Sequence, residues 1–171
     1  MTISATPTLQ GFKDWVRLFM GVPVGALPDD SIWFDWAYEV AIAIVNPQLA
    51  AVAGPGWPIP GLSIPPAGAT PLYSLAVYNL GGDNLVNWVL DDPNAAAPYK
   101  TYWADLRTSF NTAGFVPGAI ESSSDENTAQ SMVVPEQFKT YTMANLQQMK
   151  TPWGRYYLGV AASVGTLWGL T

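Results

Sequence analysis

The feature that most constrains the fold of this chain is a fifteen-residue stretch, 54–68 (GPGWPIPGLSIPPAG), in which nine residues are glycine or proline. Proline interrupts helical and ladder hydrogen bonding, so neither a regular helix nor a central strand can form there. Apolar residues stand between the prolines, namely Trp57, Ile59, Leu62 and Ile64. Because such side chains rarely stay in water and prolines lower the entropy of a free loop, we predict a stiff arm that docks against a partner.

The chain is also poor in charge. Charged residues make up 12% of its 171 residues, about half of the roughly 25% typical of soluble proteins, whereas apolar residues reach 49% and the net charge is −6. Such a composition indicates a surface that other proteins cover. There is neither histidine nor cysteine, which removes disulfides, soft metal ligands and the usual assisted nucleophiles. We therefore predict a protein that is not an enzyme and holds no metal or cofactor.

Nucleic-acid and membrane partners are not indicated either. The seven basic residues are scattered, without a cluster that could hold phosphates, which predicts no sequence-specific nucleic-acid binding. The start, MTISATPTLQ, lacks the basic and apolar regions of a signal peptide, so synthesis in the cytoplasm is expected. Two apolar segments, 32–45 and 156–170, are shorter than the roughly 20 residues that a spanning helix needs. No membrane span is predicted.

Helical patterns dominate the N-terminal part. Thr8 is suited to cap a first helix, which Gly21 is expected to end. A long helix over 29–45 has two aspartates at its start, where the helix dipole favours negative charge. Because this helix is apolar nearly all round, we predict that it is the central helix, covered on several sides.

The remaining elements complete a mainly α prediction. A helix begins at 70–71, is interrupted by the glycines 81–82 and is followed by a short helix, and Pro98 opens the next. Two β-favouring runs around a polar centre predict a β-hairpin or extended flap over 114–135. Further helices follow, and the chain closes with an apolar tail over 161–171. The fold predicted for 1–171 is a single domain, a helical bundle of about five to six helices with a long Pro/Gly-rich loop.

Carboxylate pairs are the only candidates for acid–base chemistry. Asp35 and Glu39 lie four residues apart on one helix face, and burial beside tryptophans could raise a pKa as it does in glycosidase acids. The simpler interpretation, which we favour, is that both form the solvated stripe of their helix. The pairs 29–30 and 91–92 are typical of a helix start and of a turn.

Seven of the eight tryptophans separate into two groups. Five fall on predicted helix faces and are expected in the core or in packing between subunits: Trp15, Trp33, Trp36, Trp103 and Trp153. Trp57 and Trp168 stand in segments without an amphipathic face, and tryptophan and arginine are enriched among interface anchors. The predicted protein-interface residues are Trp57, Ile59, Leu62, Ile64, Trp153, Arg155, Leu167, Trp168 and Leu170.

Several stretches together resemble small virion proteins of tailed bacteriophages, of the head-to-tail adaptor or neck type. They are LPDDSIWFDWAYEVAIAIVNP (27–47), YSLAVYNLGGDNLVNW (73–88), SSSDENTAQSMVVPE (122–136), and MKTPWGRYYLG (149–159) with GTLWGLT (165–171). The resemblance implies a mostly helical subunit that forms a ring of its own copies between portal and tail. Its expected partners are the portal protein and a tail or nozzle protein, and its expected location is the virion. The alternatives are a carbohydrate-active or lytic enzyme that uses Asp35 and Glu39, and a small membrane-associated protein.

Overall fold

The protein is described by a computed structural model over residues 6–45, 72–114, 119–123, 130–133 and 143–164. The helices are α1 (Leu9–Trp15), which continues as a π-helical turn (Val16–Met20), α2 (Ile32–Ile44), α3 (Leu72–Trp88), α4 (Tyr102–Ser109), α5 (Met143–Gln148) and α6 (Pro152–Val164), with a short 3₁₀ turn at Ala97–Tyr99. Two short strands, β1 (Ala119–Ser123) and β2 (Gln130–Val133), pair antiparallel. The predicted mainly α, bundle-like fold is confirmed.

Local capping sets the ends of α1 and α2. The Thr8 side chain accepts a hydrogen bond from the Gly11 amide at 3.0 Å, and Gly21, with φ of 68°, ends the π-helical turn, as predicted. The predicted start of the second helix at residue 29 is wrong. Ser31 is the cap of α2, since its hydroxyl accepts a hydrogen bond from the Trp33 amide at 3.4 Å. Asp29 lies before the helix, and its carboxylate pairs at 2.6 Å with the guanidinium of Arg17.

The central helix is α3, and the prediction that the second helix holds this position is wrong. Thirteen of the seventeen residues of α3 are buried, against three of the thirteen in α2. The Asn84 side-chain amide of α3 donates to the Ala37 carbonyl of α2 at 3.4 Å, and Gly81 faces the same carbonyl. Asp83, which contacts the start of α6, lies about 200° around the helix from Gly81. The central helix therefore packs against α2 on one side and against α6 on another.

The glycines 81 and 82 do not interrupt α3, contrary to prediction. A Cβ on Gly81 would lie 2.8 Å from the Phe12 ring, and one on Gly82 would lie 2.9 Å from the sulfur of Met20. Glycine inside a helix costs roughly 0.5–1 kcal/mol relative to alanine. Here the missing side chains let α1 and the π-helical turn approach the backbone of α3, and the burial gained offsets that cost.

One ionic network joins the end of α3 to the start of α4. The Asp91 carboxylate accepts hydrogen bonds from the Trp103 and Ala104 amides at 2.7 and 2.9 Å. The Arg107 guanidinium donates to the carbonyls of Val86 and Val89 at 3.1 and 2.8 Å. Because Asp91 supplies the cap from outside, α4 begins at Tyr102, and the helix predicted from Pro98 forms only as the separate 3₁₀ turn.

Trp103 anchors α4 to the loop that precedes α2. Its side chain is almost completely buried, and its indole N–H donates to the Ala26 carbonyl at 3.1 Å. A bulky ring and a directed hydrogen bond therefore hold together two segments far apart in the chain.

Three predicted segments lie wholly or partly outside the described residues. The arm over 54–68 lies outside them, and so does the tail beyond 164, although residues 161–164 belong to α6. The hairpin or flap stays a prediction, since residues 124–129 between the two strands are not described.

Candidate interaction surface

The outward side of α2 carries a row of large apolar residues at every fourth position. The exposed fractions are 54% for Ile32, 52% for Trp36, 36% for Val40 and 51% for Ile44. We name these four residues the α2 ridge. Residues four apart in a helix form one continuous row, and a helix that faces water normally presents polar side chains there. In the part of the chain that the structure describes, the α2 ridge is therefore an exposed apolar surface.

The inward side of α2 explains why these larger residues face outward. Its buried residues are Phe34, Ala37 and Ala41. The two alanines bring the backbone of α2 close to α3, as the hydrogen bond between Asn84 and the Ala37 carbonyl shows. Small residues thus serve the internal contact, and the bulky residues are left on the surface.

The carboxylates that were candidates for acid–base chemistry border the α2 ridge. Glu39 is exposed and Asp35 is half-buried, and α2 contains no basic residue. Trp36 packs edge-to-face on Trp33, with ring centroids 5.7 Å apart. The exposed face of α2 is thus apolar and acidic together, rather than the purely acidic stripe expected from the sequence.

A second outward helix face has a different character. On α6, Arg155, Tyr156, Gly159 and Ala162 are exposed, and α6 contains no acidic residue. The Arg155 guanidinium donates to the Met149 carbonyl at 3.0 Å. A Cβ on Gly159 would meet nothing within 4 Å, so no internal contact in the described chain requires glycine there. We name these four residues the α6 outer face.

The predicted interface residues fall in three places. Arg155 is exposed on the α6 outer face. Trp153 is half-buried and packs edge-to-face on Phe110, with centroids 5.4 Å apart. The other seven lie outside the described residues: Trp57, Ile59, Leu62, Ile64, Leu167, Trp168 and Leu170. Sequence reasoning missed the α2 ridge, although its repeat of four is visible in the sequence.

A buried carboxylate holds α6 against α3. The Thr151 hydroxyl donates to Asp83 Oδ1 at 2.5 Å and accepts from the Gly154 amide at 3.0 Å, so Thr151 caps α6 and links it to α3. Burial raises the pKa of Asp83 from 3.8 to about 7, while hydrogen bonds from Thr151 and Asn87 and the charge of Lys150 act in the opposite direction. Near neutral pH, part of the molecules therefore carry Asp83 protonated and part carry it ionised.

The stability of the protein should therefore depend on pH through Asp83. Between pH 3.8 and about 7 the native state holds a proton that the unfolded chain has lost, so the free energy of unfolding falls as pH rises through this window. Between pH 5 and pH 7 we expect a decrease of roughly 2 kcal/mol from this group, measurable by urea unfolding followed by circular dichroism. Asp83→Asn, which keeps an acceptor for Thr151, should remove this dependence. An unchanged slope in the variant would contradict the assignment.

Within the described residues, a shallow cleft beside the end of α4 is another feature that could hold a ligand. It has a volume of about 360 Å³ and is lined by Ala104, Arg107, Thr108, Asn111, Thr112 and Ala113. Among the described lining residues only Arg107 is charged, and its guanidinium already donates to the end of α3. This lining offers neither a nucleophile with a base nor a pair of carboxylates.

The described ranges contain no group of three or more histidine, cysteine, aspartate or glutamate residues that could hold a metal ion. In the part of the chain that the structure describes, no helix is long and apolar enough to cross a membrane. Comparison with protein-family models, curated proteins and solved structures found no match to the chain.

Proposed function

We propose that this protein is a structural virion subunit that forms a ring between the portal and the tail of a tailed phage and acts by interlocking with other proteins. The observation that carries the proposal is the α2 ridge, with four large apolar side chains exposed in one row. Exposed apolar surface of this extent is typical of protein–protein contact sites. The low content of charge agrees with a subunit that is covered on several sides.

Two arginines of the described residues support a role without nucleic-acid recognition. Arg17 donates to the carbonyls of Val22 and Leu27 and pairs with Asp29, and Arg107 donates to the end of α3. These guanidinium groups are engaged inside the subunit. Phosphate recognition depends on free basic groups gathered on one face, and protein contacts therefore account better for the exposed surface.

The test is incorporation into particles. A tagged chain carrying Trp36→Glu and Ile44→Glu is supplied during particle formation, and its amount in purified particles is measured by immunoblot. Burial of each large apolar side chain contributes about 1.5–3 kcal/mol, and 1.4 kcal/mol corresponds to a tenfold change in affinity. We expect at least a tenfold loss of incorporation, with the helical circular dichroism spectrum retained.

The matched control is Leu90→Glu, which changes another strongly exposed apolar residue outside the α2 ridge. This variant should be incorporated like the wild type, and electron microscopy of particles should show the chain in a ring next to the portal. Full incorporation of the ridge variant, or a position away from the portal, would overturn the proposal.

A further inference from the structure

We propose that the α2 ridge of one copy packs on the α6 outer face of the next copy, in a contact between unlike surfaces that repeats from subunit to subunit. The proposal rests on the proposed function, because it names the contact by which the ring would close. It commits to a second copy of this chain as the occupant of the α2 ridge.

Charge complementarity is the first argument. The α2 ridge is bordered by Asp35 and Glu39, and α2 has no basic residue. The α6 outer face includes Arg155 and follows Lys150, and α6 has no acidic residue. Opposite charges at the rim of a contact fix its register and disfavour wrong partners.

The same charges disfavour two α2 ridges packing on each other. The middle of the ridge lies between Trp36 and Val40, so a two-fold axis there would bring Glu39 of one copy next to Glu39 of the other. Like charges placed side by side across an interface are destabilising. A contact with the basic α6 outer face avoids this repulsion.

Shape supports the same pairing. Gly81, Gly82 and Gly154 are each required by a contact inside the subunit, whereas a Cβ at Gly159 would meet no described residue within 4 Å. A helical glycine without an internal partner costs roughly 0.5–1 kcal/mol with no gain inside the described chain. Gly159 and Ala162 place two small residues next to each other on this face, where a row of side chains spaced by four can pack closely.

The position of the two surfaces allows the contact to repeat. Helices α2 and α6 pack against different sides of α3, because Asn84 contacts the Ala37 carbonyl of α2 whereas Asp83 contacts Thr151 at the start of α6. One copy can therefore present its α2 ridge to one neighbour and its α6 outer face to another. Contacts between unlike surfaces close into rings or continue as filaments, according to the rotation between copies.

The experiment uses the absence of cysteine in the chain, so that introduced cysteines are the only reactive thiols. The full chain is purified with Val40→Cys and Gly159→Cys together and treated with a short bismaleimide. We expect a ladder of covalent multimers on a denaturing gel. Each single variant should stay monomeric, and an equal mixture of the two should stop at the dimer. The control pair Leu90→Cys with Gly159→Cys should give no ladder.

Three results would overturn the contact: dimers from Val40→Cys alone, which indicate ridge against ridge; monomers only from the double variant; or a ladder equal to that of the control pair. Exchange of the charges gives an independent readout. When Glu39→Arg or Arg155→Glu is added singly to the Val40→Cys and Gly159→Cys double variant, the yield of cross-linked multimers should fall severalfold. Both charge changes together should restore that yield. Because only the purified chain is used, failure of this contact is distinguishable from failure to enter particles.

Discussion

Gly154→Ala should prevent α6 from docking on α3 and should lower the free energy of unfolding by more than about 4 kcal/mol, which is exceptional for a single methyl group. The added Cβ would collide with the Gln148 carbonyl oxygen and lie 2.8 Å from Asp83 Oδ1. Gln148 is the last residue of α5, so its backbone cannot retreat without disturbing that helix. Urea unfolding followed by far-ultraviolet circular dichroism measures the loss.

The same substitution five residues later provides the matched control. A Cβ at Gly159 meets nothing within 4 Å, and alanine is the better helix former. Gly159→Ala should therefore leave stability unchanged or raise it by roughly 0.5–1 kcal/mol. Equal destabilisation by both substitutions would show that α6 tolerates no change at either glycine and that the close approach of Gly154 is not the cause.

Trp103→Ala should cost about 3–5 kcal/mol, the range for removing a large buried aromatic side chain. The indole is almost fully buried, and its loss also leaves the Ala26 carbonyl without its donor. Buried acceptors left without a partner add their own penalty. Thermal unfolding measures the loss of stability. Amide hydrogen exchange should show that α4 and the loop before α2 lose protection together.

Two variants separate the causes. Trp103→Phe keeps most of the volume but removes the indole N–H, so it should cost less than the alanine variant. Trp36→Ala removes the same side chain from the exposed α2 ridge and should change stability by less than about 1 kcal/mol, while it weakens association. A similar loss of stability at both tryptophans would mean that the α2 ridge belongs to the subunit core.

Signals that act within one turn of the chain were predictable. Thr8 and Gly21 set the ends of the first helical segment as expected, because a cap needs only a neighbouring amide or a positive φ. Effects that depend on distant residues were not predictable. The low helix propensity of Gly81 and Gly82 predicted a break. In the folded protein, however, Phe12 and Met20 pack in the space that side chains at these two positions would occupy. Local propensity is overridden by contacts of this kind.

In the candidate site, too, local features were predictable and effects of distant residues were not. The apolar character of α2 was evident, yet apolar residues occur on both of its sides, so hydropathy could not show which side is covered. The alanines on the inner side decide it, because close packing on α3 requires small residues. Because a break was predicted at the glycines 81–82, nothing in the sequence indicated that Asp83 lies buried in the middle of α3. Its burial follows from the docking of α6, whose start is far away in the chain.

The position of α3 between α2 and α6 also has a consequence for how the protein is made. On the ribosome, α1, α2 and α3 emerge well before α6, so the side of α3 that carries Asp83 stays hydrated in the nascent chain. In water this carboxylate keeps its ordinary acidity and its charge. When α6 arrives and buries it, the pKa of Asp83 rises to about 7. Completion of the subunit is then coupled to the uptake of part of a proton from the surrounding water.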